Sequence, residues 1–345
     1  MNELFATPEE TKKAILRGIR AALLTLGSAT KAELSGKLRL SFPTVSKFLA
    51  QMEREGELLT VGLDDSSGGR RARRYAYNPE YMLGLAIFLE QAETNYMIFN
   101  CVGEVKDRGQ TTSFLLDDIE NLARRIESIV RSEPRIKSLS IGVPASVRNG
   151  RLIYIPGYAQ FQDFDLKKHF EDRLSIPVVV ENDMNAAVLG YNDNRRVTDD
   201  GSSLVYLYLG NNGPGAGIMI NGELVRGSSY FSGEVSFVPQ YTESNFLQAL
   251  SQGSGMDADA AREEARVDAI SRLVASFAAI LNPHAIIFCD DEVDDSMIDS
   301  IAARSAFYIP AEHLPKLVAS DWRQDYLSGL QHLGLDLMIS RIKFD

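Results

Sequence analysis

Residues 177–190 read PVVVENDMNAAVLG, and this stretch argues for an α/β architecture. Pro177 and three β-branched valines suit a buried strand, and Met184 to Asn192 suits a helix. A strand that passes straight into a helix is the unit of open α/β sheets, whose ligands sit at the carboxyl ends of parallel strands. Asn182 and Asp183 fall at such an end. An Asn or Asp there also serves as a helix N-cap, accepting orphan amide hydrogens with no ligand involved. One cap needs one such residue, and Glu181, Asn182 and Asp183 are three polar residues in a row. At this level the cap and the ligand site stand side by side.

The same alternation runs through the rest of the chain beyond residue 80. Leu83–Leu89, Tyr96–Val102 and Glu104–Phe114 read as three successive strands, followed by a helix from Asp117 to about Arg131. Ser138–Val143, a helix Leu166–Leu174 and the Val178–Val180 strand continue the pattern. Leu204–Leu209 and Gly217–Ile220 begin a second set of strands. A long helix near Ala260–Leu281, a strand Ala285–Cys289 and a last helix from about Asp325 complete it. No Pro/Ser-rich linker and no short-period repeat interrupts this body.

The first eighty residues differ. They hold 13 Lys/Arg against 10 Asp/Glu, a net of +3, while residues 81–345 carry −14 of the total −11. A small basic module on an acidic body fits this asymmetry. Glu9 to Leu26 reads as an amphipathic helix, Thr30-Lys-Ala-Glu33 has capping-box form, and Ser41-Phe-Pro-Thr44 opens a third helix with Ser41 as N-cap. Two short strands, Glu57–Val61 and Arg73–Tyr77, flank the loop GLDDSSGGRRA. Helix, short helix, turn, helix and hairpin is the layout of a winged helix-turn-helix, which lays its third helix in the DNA major groove. Ser41, Thr44, Ser46 and Lys47 lie at the leading end of that helix. Arg70 and Arg71 sit at the hairpin tip, where an arginine can enter a narrow minor groove. The plainer alternative is a protein-interaction module with a solvated basic face.

Only Cys101 and Cys289 occur, so neither a disulfide framework nor a cysteine-rich zinc site is expected. His169, His284, His313 and His332 lack metal-ligand spacing. No apolar run approaches a membrane span and the start is no signal peptide, so the expected compartment is the cytoplasm, with no membrane partner.

Taken in order, SATKAELSGKLRLSFPTVSKFLAQMEREGEL, GGRRARRYAYNP, IGVPASVRNG, VVVENDMNAAVLG, NGPGAGIMINGELVRG and FSGEVSF resemble the motifs of the ROK family (repressors, open reading frames, kinases). The resemblance spans almost the whole chain. It is to the family's transcriptional-repressor branch, of the xylose-repressor and N-acetylglucosamine-repressor type. It implies an N-terminal winged helix-turn-helix over residues 1–79. It also implies an actin-like (ribonuclease H-like), two-lobed sugar-kinase fold over 80–345. Lobe one would cover about 80–195 plus the C-terminal helix, and lobe two about 196–324. In the family's sugar kinases the residues matching Asn182 and Asp183 grip sugar hydroxyls, the aspartate as general base, and the match of Glu234 also holds the sugar. Tyr158, or Gln160, is a further candidate for sugar contact, with a packed surface tyrosine as the alternative.

Departures from the family pattern bear on chemistry. An Asp-x-Gly-Gly-Thr run that cradles phosphates becomes Ala86-Ile-Phe-Leu-Glu90, with two bulky side chains and a carboxylate expected to block a triphosphate. In the second phosphate loop Gly213, Gly215 and Gly217 persist behind Asn211-Asn212, and a glycine pair expected near the adenosine becomes Cys289-Asp290. Phosphoryl transfer depends on positioning and neutralising phosphates, so these losses argue against kinase activity. The histidine of the family's zinc site is replaced by Phe237, so no metal and no cofactor is expected. The expectation is a sugar-responsive repressor of carbohydrate-use genes. It would act as a homodimer or dimer of dimers on operator DNA, with a sugar or sugar phosphate in its cleft. The rivals are an effector-independent DNA-binding regulator with a decayed cleft and an active ATP-dependent sugar kinase.

Overall fold

A computed structural model of the protein describes residues 7–63, 71–89, 93–112, 119–155, 161–195, 202–210, 213–251 and 259–341. The chain opens with α1 (Pro8–Leu26), β1 (Ala29–Thr30), α2 (Lys31–Leu38) and α3 (Phe42–Arg54), then the hairpin β2 (Leu58–Leu63) and β3 (Arg73–Tyr77). The start signals work as the sequence predicts. Thr30 and Glu33 form a reciprocal capping box on α2, and the Ser41 side chain accepts from the Thr44 amide at the head of α3. β1 adds to the hairpin, giving the order β1-β3-β2. Leu16, Ile19, Leu34, Val45, Leu49 and Met52 bury fully between helices and sheet. Arg20 and Glu57 form an ion pair inside this core, with side chains 3% and 0% exposed.

Two larger sheets follow. β4 (Leu83–Leu89), β5 (Glu93–Asn100) and β6 (Val105–Thr112) form an antiparallel meander, followed by α4 (Ile119–Ser132), β7 (Ile136–Val143), the hairpin β8 (Ser146–Arg148) and β9 (Arg151–Tyr154), α5 (Leu166–Leu174), β10 (Val178–Asn182) and α6 (Asp183–Asn194). A second meander, β11 (Leu204–Tyr208), β12 (Gly215–Ile220) and β13 (Glu223–Leu224), precedes the short pair β14 (Pro239–Gln240) and β15 (Ser244–Asn245). Then come α7 (Phe246–Ser251), α8 (Asp259–Leu281), β16 (Ala285–Cys289), α9 (Asp295–Ser305), β17 (Lys316–Ser320) and α10 (Trp322–Arg341). The sheet orders are β10-β7-β4-β5-β6 and β13-β12-β11-β16-β17. Both sheets follow one plan, with two parallel strands added beside the first strand of the meander.

Because side chains alternate across a strand, each central strand feeds two cores. In β4, Leu83, Leu85, Ile87 and Leu89 pack with α4 and α5, while Ala86 and Phe88 join the middle layer. In β11, Val205 and Leu207 pack with α7 and α8, and Leu204 and Tyr206 face the middle. That layer is the helix pair α6 and α10, which contact each other along their lengths. Two glycines permit the approach: a Cβ at Gly190 would lie 1.8 Å from the Asp325 carbonyl oxygen, and one at Gly329 would lie 1.8 Å from that of Ala186.

Some boundaries move. β5 ends at Asn100, short of Val102, because the Asn100 carboxamide accepts from the Val102 and Glu104 amides and closes a turn. α10 begins before Asp325 because Asp321 caps it, accepting from the Gln324 amide. The short strands β1 and β13 to β15, the hairpin strands β8 and β9, helices α7 and α9 and strand β17 are additions to the elements read from the sequence.

Candidate functional site

The opening stretch resolves residue by residue. Asn182 is the N-cap of α6: its Oδ1 accepts from the Asn185 amide at 3.0 Å. Its Nδ2 donates to the Ala145 carbonyl at 3.1 Å and to Asp183 Oδ1 at 2.9 Å. The Asn182 amide is therefore occupied by the fold, and it orients its neighbour. Asp183 Oδ1 also accepts from the Met184 amide at 2.8 Å, and Oδ2 has no partner among the described residues. Burial pushes the Asp183 carboxyl up to about 7, the charge of Glu234 adding to the effect, while its hydrogen bonds to Met184 and Asn182 pull the other way.

Asn182, Asp183 and Glu234 line one cleft of about 630 Å³ between the two sheets. Glu234 Oε1 accepts from the Ser146 hydroxyl at 2.5 Å, and burial raises its pKa. Behind them Glu181 is buried, accepting from Asn185 Nδ2 at 3.0 Å and pairing with Arg226 at 2.5 Å. Arg226 follows β13 of the second sheet, so this pair ties the two walls together. Sequence reasoning quoted the motifs that hold Ser146, Glu181 and Arg226 but gave these residues no role, because each gains meaning only from a partner far along the chain. Tyr158 and Gln160 lie outside the described residues; Tyr154 of β9 lines the cleft.

The other end of the cleft carries rings and carboxylates. Phe88 does not obstruct it, as the sequence suggested. It is buried in the middle layer, edge-on to Tyr326 at 4.2 Å between centroids, and Leu89 lines the cleft in its stead. Alternation sends neighbours on a strand to opposite faces. Glu90, Asn211 and Asn212 lie outside the described residues. Gly217 has a packing reason to be glycine: a Cβ there would sit 2.0 Å from the Met184 carbonyl oxygen. Cys289 is buried in the same layer, and Glu292, accepting from the Leu209 amide at 2.7 Å, is pushed up to about 7 by burial. No group of three or more His, Cys, Asp or Glu is placed to hold a metal ion among the described residues.

At the N-terminal module, Ser41 and Thr44 hydroxyls bond each other at 2.8 Å on the exposed head of α3. Thr44 and Ser46 are half-buried, and Lys47 is exposed, with no ion pair among the described residues. Phe42, overlooked in the sequence, is 54% exposed on the same turn. Arg71 is exposed, and Arg70 lies outside the described residues. Arg73 and Arg74 are turned onto the module itself, pairing with Glu53 at 3.4 Å and Glu33 at 3.3 Å.

Residues 92–241 match the ROK family. Among curated proteins the chain is 29% identical to the xylose repressor of Caldicellulosiruptor bescii over 260 residues, covering 71% of this chain and 63% of that protein. It is 25% identical to the xylose repressor of Bacillus subtilis over 236 residues, covering 65% and 60%. The chain thus spans about three fifths of the length of these relatives. A shorter match, 28% over 118 residues, covers 34% of the chain and 35% of a glucokinase of Halalkalibacterium halodurans. The fold is that of a ROK family transcriptional regulator, a homologue of the E. coli MLC protein (TM-score 0.71, 16% identity, 95% of this chain and 98% of that one). A ROK glucokinase from Streptomyces griseus, solved with glucose and AMPPNP, superimposes on 73% of this chain and 99% of its own (TM-score 0.58, 18% identity). These likenesses give the chain an actin-like sugar-kinase fold, and its residues 92–241 are similar to the ROK family.

Proposed function

We propose that this protein is a sugar-responsive transcriptional repressor of carbohydrate-use genes. Residues 1–79 act as a winged helix-turn-helix and residues 80–345 as the effector-binding body, its lobes being about 80–195 with α10 and about 196–324. α3 enters the major groove with Ser41, Thr44, Ser46 and Lys47 leading, and Arg70 and Arg71 of the wing reach the minor groove. A dimer matches the two halves of a near-palindromic operator. The sugar, or sugar phosphate, sits against Asp183 and Glu234, with Asn182 holding Asp183 in place and Tyr158 as a further sugar contact.

One observation carries the reading: Asp183 lines the same cleft as Glu234, and its Oδ2 has no partner among the described residues. A cap alone needs only Asn182. The names of the curated relatives make xylose the first sugar to try. Kinase activity is disfavoured because the nucleotide end presents Leu89, Trp322, Asp291 and Glu292 in a place where a triphosphate needs amides and cations. The test is fluorescence anisotropy of a labelled operator, selected from genomic fragments, with xylose and other pentoses and hexoses added singly. A sugar that shifts operator affinity supports the reading, and operator binding indifferent to every sugar leaves the effector-independent regulator. ADP release dependent on sugar and lost in Asp183→Asn establishes a kinase.

A further inference from the structure

We infer that the cleft takes a saccharide of at least two rings, whose second ring rests on an aromatic lip built by Tyr154, Phe231 and Phe237. This rests on the reading of Asp183 and Glu234 as the site of the first ring.

The lip is continuous with that site through covalent and hydrogen-bonded neighbours. Glu234 lies between the two phenylalanines in sequence, its amide donating to the Phe231 carbonyl at 3.3 Å and its carbonyl accepting from the Phe237 amide at 3.2 Å. Ser146, which donates to the Glu234 carboxylate, is the cross-strand partner of Tyr154 in the β8–β9 hairpin. Two segments about eighty residues apart thereby bring three rings together. Centroids are 5.3 Å apart for Phe231 and Phe237 and 6.2 Å from Tyr154 to each.

The phenylalanines are not core residues: Phe231 is 43% exposed and Phe237 49%. A single exposed ring is ordinary, but contiguous rings at the mouth of a concave polar site mark a surface that some ligand covers. The backbone beside them is held in an uncommon form. Tyr230, which also lines the cleft, has φ +61°, a region that bulky residues rarely adopt and that concentrates at ligand clamps. The loop carrying it is anchored at Arg226 by the buried Glu181.

The chemistry selects the occupant. A pyranose has C–H bonds on its faces, which meet the electron-rich face of an aromatic ring, and hydroxyls on its edge, which stay in water. Carboxylates on one side and rings on the other suit a ligand with a hydroxyl-rich first unit and a flat, partly apolar second one.

The experiment is calorimetry on the full chain with xylose, glucose and galactose, with xylobiose, cellobiose, gentiobiose, lactose and maltose, and with 4-nitrophenyl glycosides of the same three monosaccharides. At least one disaccharide is expected to bind roughly tenfold tighter than its own non-reducing monosaccharide, the scale of an aromatic contact. Phe231→Ala and Phe237→Ala should each erase most of that advantage and leave monosaccharide affinity unchanged, and Phe237→Tyr should keep it. Thermal unfolding of each variant shows whether the fold is intact, and Phe237→Leu is read in place of any alanine variant that unfolds. Monosaccharide binding that needs Asp183 but is matched by no disaccharide overturns the second-ring site and spares the first. A phenylalanine-dependent gain seen only for nitrophenyl glycosides overturns the saccharide assignment. No binding by any of these sugars overturns both.

Discussion

Asp183 is the residue whose role the surrounding atoms define most closely. Two bonds hold Oδ1 in place, the side chain lines the cleft and Oδ2 has no partner among the described residues, so an added hydroxyl finds a fixed acceptor. Charge-assisted hydrogen bonds are worth about 1.5–3 kcal/mol each, so losing two in Asp183→Ala should cost roughly 3–6 kcal/mol of sugar affinity. Calorimetry on the folded variant checks this, and an unchanged affinity places the sugar elsewhere. The pH dependence follows from the carboxyl at about 7. The ionised form accepts hydroxyl hydrogens, so sugar affinity should rise between pH 6 and pH 8. The stability of the free protein runs the other way. With its pKa raised, folded Asp183 keeps its proton after the unfolded chain has lost its own, from about pH 4 upward. Its contribution is therefore full below the unfolded pKa and is lost as pH rises through about 7. Asp183→Asn should flatten the fall in melting temperature between pH 5 and pH 8, as scanning calorimetry can show. From the sequence, Asn182 and Asp183 were equally good caps or ligands. The cap geometry distinguishes them: both line the cleft, but the Asn182 carboxamide is bonded to the helix start, Ala145 and Asp183, while Asp183 keeps one oxygen without a partner among the described residues.

At the scale of elements, those with a strong local signal were legible. Capping boxes, a proline in the first turn and long apolar runs located α1 to α3, α5, α8, β4, β11 and β16 to within a residue or two. α9 was missed because aspartates surround it and few side chains, chiefly Met297 and Ile301, bury from it. β17 was missed because it is a half-exposed edge strand. The aromatic lip was illegible for another reason, since nothing local ties Tyr154 to Phe231. The α6–α10 contact was equally hidden, and it yields a prediction with an internal control. Gly190→Ala drives a methyl into the Asp325 carbonyl between two fixed helix backbones, so it should cost at least about 3 kcal/mol, the upper end of ordinary overpacking. Gly36→Ala, on exposed α2 with nothing within 4 Å, should instead stabilise by about 0.5–1 kcal/mol. Urea titration of both variants measures the two signs, and a neutral Gly190→Ala contradicts the close crossing. In α3, Lys47→Ala should change which operator bases are preferred, by about 1–3 kcal/mol at one position. Arg71→Ala should weaken binding mainly at A·T-rich flanks. Equal losses on operator and random DNA for both remove the base-reading role.

Across the whole molecule, the cleft and the N-terminal module are joined by packed structure. α10 starts at the cleft, where Trp322 and Tyr326 line it, and α1 lies against the same helix. The connecting residues are tied at both ends. Asn78 donates from its amide to the Glu57 carbonyl at 2.9 Å and from Nδ2 to the Gly56 carbonyl at 2.9 Å. Glu80 accepts from Asn100 Nδ2 at 3.2 Å and pairs with Lys106 at 2.5 Å and Arg135 at 3.4 Å. Such a junction transmits a difference between liganded and free cleft as a difference in module placement, provided that sugar and operator prefer unlike arrangements. The coupling is then one free energy seen from two sides: the factor by which sugar changes operator affinity equals the factor by which operator changes sugar affinity. Asn78→Ala with Glu80→Ala removes the side-chain ties, leaving the backbone bond from Asn78 to Glu57, and touches neither proposed binding surface. Both factors should fall together toward one, while sugar affinity without DNA and the sequence preference of α3 stay as in the wild type. Anisotropy with and without sugar, and calorimetry with and without operator, give the two factors independently. If both keep their wild-type size in the folded double variant, the signal passes through the α1–α10 contact and the junction serves stability alone.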